Sequence, residues 1–199
     1  DLKAAAFKDG KMLGKVTHKP LYGNLLAGKP FTVNYAMGWT GDIFGENDVL
    51  GADPTTFGLT NGKRGNNASY TPWSSFAIVE GKDLEFIVNL DKPTEVSKVI
   101  FGSLFNPAMR MLPAGGIAVE VSADGQQYTQ IAEKTLKHDC PETGRIAFTD
   151  SIEFEPAQAT FLKVKIKNGG TLRNGVNFEK NNGPEVIPAE LWIDEIEAY

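Results

Sequence analysis

Two stretches of the chain carry residues whose types and spacing could do chemistry. The first is Gly58-Leu59-Thr60-Asn61-Gly62-Lys63-Arg64-Gly65-Asn66-Asn67, a loop dense in backbone carbonyls and side-chain amides. The second is the closing segment Leu191-Trp192-Ile193-Asp194-Glu195-Ile196-Glu197-Ala198-Tyr199, which alternates apolar and acidic residues. Hard cations such as calcium take about 6–8 oxygen ligands, many of them carbonyls. A carbonyl-rich loop met by a carboxylate from the final strand is therefore a candidate cation site. Strict alternation places Leu191, Ile193, Glu195 and Glu197 on one face, and Trp192, Asp194, Ile196 and Ala198 on the other. Such a strand closes a β-sandwich with its acidic side chains at a sheet margin. Trp192 and Tyr70 read as core or sheet-face residues. The chemistry on offer is binding rather than catalysis.

Other chemistries find little support. The lone cysteine, Cys140, lies two residues after His138 and directly before Pro141. A nucleophilic thiol needs an activating base, and this spacing in a proline-bounded loop reads as an ordinary loop thiol. His18 stands far away in the sequence. No zinc cluster, phosphate loop or nucleophile–base pair is present, so the chain is expected to be non-catalytic. The net charge is −5 and no basic run occurs, which argues against nucleic acid or an anionic membrane as partner. No apolar run is long enough to span a bilayer, and no signal peptide is present. The chain starts at Asp1 without Met, as a processed protein or an excised fragment would. Asn67-Ala68-Ser69 is a formal glycosylation sequon.

The elements that must position these residues are strands. With 199 residues and 41% hydrophobic content, the chain can bury a core as one large all-β domain. The best period-two alternation runs through 84–90 and 161–167. Further strands are expected at 31–35, 95–101, 117–122, 128–133, 145–148 and 190–199, with 83–90 as a separate unit. Ala123-Asp124-Gly125 is a tight turn. No convincing helix exceeds two turns, and many short strands with Gly- and Pro-bounded turns argue for a sandwich or jelly roll. Near the start, the Asp9-Gly10 turn joins 2–7 to 12–18 as a hairpin. An isolated hairpin is not independently stable, so residues 1–22 read as the end of a preceding small β domain plus linker. Residues 23–199 form the main domain. Two long polar and aromatic stretches, 37–56 and 168–188, are where binding sites are expected.

Several segments in order resemble the discoidin family, also called coagulation-factor type C or galactose-binding-like domains. Leu25-Leu26-Ala27-Gly28-Lys29-Pro30-Phe31-Thr32 resembles its opening segment. Leu59-Thr60-Asn61-Gly62-Lys63-Arg64-Gly65 resembles its LTDG loop, and Trp73 the tryptophan that follows. Residues 83–93 resemble the next strand, 119–128 the VxxSxDGxxF hairpin, and 193–199 the closing EIEVY strand. The resemblance spans most of residues 25–199 and implies a discoidin-like β-sandwich jelly roll. The hairpin at 4–11, Arg64 and the insertion Pro113-Ala114-Gly115-Gly116 resemble a narrower group. These are the C-terminal modules of bacterial β-hexosaminidases (chitobiases, glycoside hydrolase family 20). The catalytic Asp-Glu pair of that family has no match here.

The resemblance also implies sites. The metal site would use the side chains of Asn61 and Glu195, carbonyls of Gly58, Lys63 and Asp194, and Asn66 as a further ligand. Its ion would be structural Ca²⁺. Asn61 stands where the family has Asp, and the lost charge is expected to weaken binding, admit a monovalent ion or leave the site empty. The carbohydrate site would draw on Trp39, Trp73, Phe105, Asn106, Arg110, Asn174 and Phe178, pairing aromatic faces with polar readers of hydroxyls. The expected partner is a glycan ending in galactose or N-acetylhexosamine. In the rival reading these loops pack on the parent's catalytic domain, and the apolar Phe105, Met109 and Met111 favour that alternative. Such a module implies a bacterial protein that is periplasmic, outer-membrane-associated or secreted.

Overall fold

Two strands of 22 residues organise the molecule. The computed structural model describes residues 2–9, 11–19, 23–34, 58–68, 74–76, 83–173 and 186–199. Within these run β1 (Leu2–Lys8), β2 (Lys11–Lys19), β3 (Phe31–Val33), β4 (Ser74–Phe76), β5 (Leu84–Phe105), β6 (Gly116–Ser122), β7 (Thr129–Thr135), β8 (Ile146–Lys167), β9 (Thr171–Arg173), β10 (Val186–Pro188) and β11 (Leu191–Ala198). One single-turn 3₁₀ helix, Pro107–Met109, follows β5.

A straight 22-residue strand would reach roughly 70 Å at ~3.3 Å per residue, far beyond a domain of this size. Both long strands therefore bend. The corner in β5 sits at Asp91, whose φ of 70° is left-handed. There the pairing of β5 with β8 jumps from Asn89↔Phe161 to Thr94↔Ala159. Asn89 Oδ1 accepts the Asp91 N–H at 2.8 Å, and Lys29 pairs with the Asp91 carboxylate, which fixes the bend.

The fold-over makes one seven-stranded antiparallel sheet into two layers. The first halves of β5 and the second half of β8 pair with β3 and β6, and β7 extends from β6. The other halves pair with each other, with β11 along β5 and β4 beyond it. Between the layers lies one core. Leu84, Phe86 and Val88 meet Leu162, Val164, Ile166, Ile117 and Val119 from the first layer, with Val99, Phe101, Ile152, Ile193 and Ile196 from the second. The alternation explains this: Glu85 and Asn89, like Lys163, Lys165 and Lys167, point outward between buried neighbours. The architecture is the expected all-β, discoidin-like β-sandwich jelly roll.

Because both long strands fold back, Leu84, Phe105, Gly116, Ile146, Lys167 and Leu191 all arrive at one end. The connections at that end are knitted together. Asn34 Nδ2 donates to the Asp83 carbonyl at 3.1 Å, and Asp83 Oδ1 accepts the Asn168 N–H at 3.0 Å. Asn168 Nδ2 in turn donates to the Ala189 carbonyl at 2.9 Å. The β1–β2 hairpin is present with its turn at Asp9 (φ 50°), and its two strands pair with each other alone among the described residues.

Two expectations change. Residues 83–90 and 95–101 are not separate strands but one bent strand, and the strand expected at 145–148 continues to Lys167. β11 does not lie at a margin, because β4 flanks one side and β5 the other.

Candidate functional site

The strict alternation of the closing strand breaks where its chemistry is. Ile193 pairs with Ser103 and Ile196 with Phe101, so three steps along β11 match two along β5. This one-residue bulge at Asp194-Glu195 resets the faces. Leu191, Ile193, Ile196 and Ala198 all line the core, and each is fully buried. Glu195 is not a solvated residue as the alternation implied: it is 0% exposed. Trp192 is also buried, as expected.

The bulge and the 58–68 loop grip each other. The Leu59 carbonyl accepts the Ile196 N–H at 2.8 Å. Asp194 Oδ2 accepts the Gly65 N–H at 2.8 Å, and its Oδ1 lies 3.2 Å from Arg64 Nη1. Arg64 Nη2 reaches Glu197 at 3.0 Å. Burial raises the Asp194 pKa, against the pull of the Gly65 amide and Arg64. Glu195 differs from its neighbour. Both carboxylate oxygens are buried without a hydrogen-bond partner among the described residues. Burial pushes its pKa up to about 7, with Glu197 and Asp194 adding to the rise. The Gly62 amide, directed at the carboxylate, and the Arg64 charge offset part of this.

Of the expected metal ligands, Asp194 and Glu195 come together beside Gly62, Arg64 and Gly65. Asn61 and Asn66 spend a side-chain oxygen on local turns, accepting the N–H of Lys63 at 2.8 Å and of Ala68 at 2.7 Å. Gly58 is buried and Lys63 exposed in the same loop. Beyond it, the side-chain oxygen of the sequon's Asn67 accepts the Ala147 N–H at 2.7 Å.

The rim at the loop end is built around Arg110. A short hairpin from Asn106 to Met111 follows β5, each backbone donating to the other at 3.0 Å. Arg110 sits in it with φ 61°, a strained conformation for a side-chain-bearing residue. Its carbonyl accepts the Glu190 N–H at 2.7 Å, and its Nη2 lies 2.9 Å from Glu190 Oε1. Glu190 Oε2 accepts the indole N–H of buried Trp192 at 2.9 Å. The Arg110 side chain remains 44% exposed. Asn106 is half-buried beside it.

Phe105 requires a correction. It is 2% exposed, so its ring fills the interior and offers no face to a sugar. The family resemblance places it in a binding loop, but it is the last residue of β5 and ends that strand's run of buried residues. Trp39, Trp73, Asn174 and Phe178 lie outside the described residues. Glu190 escaped the sequence reading. The available signal was its i, i+2 spacing to Trp192, which puts both side chains on one side of the chain.

His138 and Cys140, the pair weighed as a nucleophile and its base, stand in separate surroundings. His138 Nε2 lies 3.0–3.1 Å from the Asp150 carboxylate, its ring against Phe148. Burial and Asp139 push the Cys140 thiol up, so it is not an activated nucleophile.

No protein-family model matches this chain, and no curated protein matches it. Solved structures do. Chitosan-binding module 1 of a Paenibacillus chitosanase/glucanase superposes with a TM-score of 0.50 at 17% identity, over 88% of this chain and 97% of that one. A fucose-binding module from Streptococcus pneumoniae gives a TM-score of 0.49 at 16% identity, over 98% of this chain and 99% of the other. Chitosan-binding module 2 of the same Paenibacillus enzyme, in complex with chitotriose, gives 0.47 at 16% identity, over 88% and 99%. At these identities the likeness is one of fold.

Proposed function

We propose that this chain is a non-catalytic carbohydrate-binding module that targets a family 20 glycoside hydrolase of the β-hexosaminidase/chitobiase type to glycans. The ligand is a glycan ending in galactose or N-acetylhexosamine, met outside the cytoplasm in the periplasm, at the outer membrane or in the medium. The observation that carries this reading is the rim. Arg110 is held half-exposed at the end of the sandwich where the loops converge, and an Arg fork donates well to sugar oxygens. A module of the same fold, with a TM-score of 0.50, is named for binding chitosan. The rival reading, docking of this end on a catalytic domain, needs an apolar patch. The apolar residues that favoured it are turned inward: Phe105 and Met111 are buried, and Met109 packs partly buried against the core. Val186 is the one large hydrophobic residue exposed among those described.

A structural Ca²⁺ forms part of the proposal. The fit rests on Glu195, whose buried, unpartnered carboxylate is the kind of group a hard cation satisfies. Among the described residues no group of three His, Cys, Asp or Glu side chains is placed to hold a metal ion by itself. Glu195 would therefore act with oxygens of the loop, from Gly58, Asn61, Lys63 and Asn66, and with the Asp194 carbonyl. The ion would supply the positive charge that lets Glu195 stay ionised and would pin the loop to β11.

Calorimetric titration in calcium buffer, with galactose-, N-acetylgalactosamine- and N-acetylglucosamine-terminated oligosaccharides, tests the reading. Saturable binding that Arg110→Ala abolishes supports it. No heat at millimolar ligand overturns it in favour of the docking module.

A further inference from the structure

We propose that Asn61 is a deamidation site: by ring closure with Gly62 it loses its side-chain amide, and the acidic residue left behind gives the cation loop a second carboxylate. The modification stands on the geometry of Asn61 and Gly62. Its effect on a cation rests on the structural-calcium reading. The sequence holds four Asn-Gly pairs, beginning at 61, 168, 174 and 182. Those at 61 and 168 lie among the described residues, and they are built differently. Glycine matters in such a pair because no Cβ hinders its own nitrogen from reaching the preceding side chain.

At the first pair the reacting groups are assembled. Asn61 Oδ1 accepts the Lys63 N–H at 2.8 Å. That bond folds the side-chain amide back along the Gly62 peptide. It also polarises the carbonyl, as a donor aimed at a developing oxyanion does. Nδ2, the leaving group, has no partner among the described residues. Both residues are exposed, and a Cβ built on Gly62 would meet nothing within 4 Å, so a ring has room to form and water can reach it. The Gly62 nitrogen attacks Cγ of Asn61. The Cγ–Nδ2 bond breaks, and ammonia leaves carrying the former Gly62 amide proton. The succinimide then takes up one water and opens to aspartate or isoaspartate. The sum is one water in and one ammonia out, with no redox change. The second pair is locked instead. Asn168 Nδ2 donates to the Ala189 carbonyl at 2.9 Å, and Oδ1 accepts the Gly170 N–H at 2.6 Å. A Cβ on Gly169 would lie 2.4 Å from the Pro113 carbonyl oxygen, so that peptide has no space to turn.

The new charge enters a loop whose Gly62 amide is directed at the Glu195 carboxylate. Calcium affinity rises with the number of charged ligands. Conversion of Asn61 is therefore a slow, one-way increase in the loop's attraction for a cation. The test ages the folded 199-residue chain in mildly alkaline, calcium-free buffer and follows each Asn-Gly peptide by mass. A parallel sample is aged in urea. Asn61→Asp represents the aspartyl product, and it keeps an acceptor for the Lys63 N–H. In the folded chain Asn61 should convert about tenfold or more faster than Asn168, where two hydrogen bonds must break first. In urea the two rates should converge. Asn61→Asp should bind calcium severalfold more tightly than wild type, read as a larger calcium-induced rise in melting temperature. Equal folded-state rates, or an equally large difference in urea, overturn the modification. If Asn61 converts selectively but Asn61→Asp responds to calcium no more than a responsive wild type, the added ligand is overturned while the calcium reading stands. If neither protein responds to calcium, the calcium reading falls with it.

Discussion

Gly102 of β5 and Asp194 of β11 share one space: a Cβ built on Gly102 would overlap the Asp194 carboxylate. The absent side chain lets the bulged β11 lay Asp194 across the neighbouring strand, where it collects Gly65 and Arg64 from the 58–68 loop. Gly102→Ala should therefore do more than add a methyl to a packed interior. It should destabilise by about 1–3 kcal/mol, the usual range for overpacking, and loosen the loop. Urea unfolding measures the first effect, and amide exchange at Gly65 the second. An unchanged midpoint with Gly65 still protected would show that Asp194 can move aside without cost.

Glu195 makes the metal-free protein sensitive to pH in an unusual direction. Its folded pKa of about 7 stands above the 4.5 of an ordinary glutamate. Between those values the folded state holds a proton that the unfolded state has released. Stability therefore falls as pH rises from about 4.5 to 7, by up to ~3 kcal/mol at 1.36 kcal/mol per unit. Asp194, also raised, acts in the same direction. In chelator, the chain should melt higher at pH 5.5 than at 7.5. Calcium should restore the loss at 7.5, and Glu195→Gln should shrink the pH step to the part that Asp194 contributes and remove the calcium effect. A calcium response that survives in Glu195→Gln would place the ion elsewhere or show it to be nonspecific.

Glu120 should behave in the opposite sense. Burial would raise its pKa, but the hydrogen bond from Lys165 and the charges of Lys163 and Lys165 outweigh that and hold the carboxyl below its usual range. Lys165 lies 2.6 Å away and Lys163 3.4 Å, with the Lys163 ammonium also over the Tyr128 ring. A depressed pKa contributes stability above about pH 4.5 that is lost as pH falls. Glu120→Gln should cost about 1–2 kcal/mol at pH 7 and almost nothing near pH 3. Paired urea titrations at the two values check it, and an equal loss at both would show that packing, not charge, is at stake.

These sites show what sequence makes visible. Period-two alternation located Leu84–Leu90 and Phe161–Lys167, because each buries every second side chain against one core. It stopped short at Phe148, since Asp150, Glu153 and Glu155-Pro156 break the apolar rhythm where β8 is held by pairing to β5 rather than by its own burial. It also split β5 at Asp91-Lys92-Pro93, which reads as a terminator and is in fact a corner. The bulge at Asp194-Glu195 was illegible for a related reason: one extra residue shifts every later side chain, and nothing in the local composition announces it. Arg110 could be picked out as a rim cation. Its ion-pair partner, Glu190, is 80 residues away in the sequence and is brought to it only by the fold.

The boundary of the sandwich can be tested at the contacts that Asn24 makes with β11. Asn24 Oδ1 accepts the Leu26 N–H at 3.0 Å and the Ala198 N–H at 3.2 Å, while the Leu25 N–H donates to the Ala198 carbonyl at 2.9 Å. The segment from Asn24 thus closes the end of β11, and Leu26 is fully buried in the shared core. The β1–β2 hairpin pairs only with itself among the described residues. If residues 1–22 belong to a separate β unit, a chain shortened to 23–199 should melt within about 2 °C of the full one and as cooperatively, since neither strand of the hairpin pairs with the sandwich among the described residues. A chain shortened to 28–199 should lose about 2–5 kcal/mol, the range for emptying a buried leucine site. A large drop already at 23–199 would make the hairpin an integral part of the sandwich and shift the domain boundary to the start of β1.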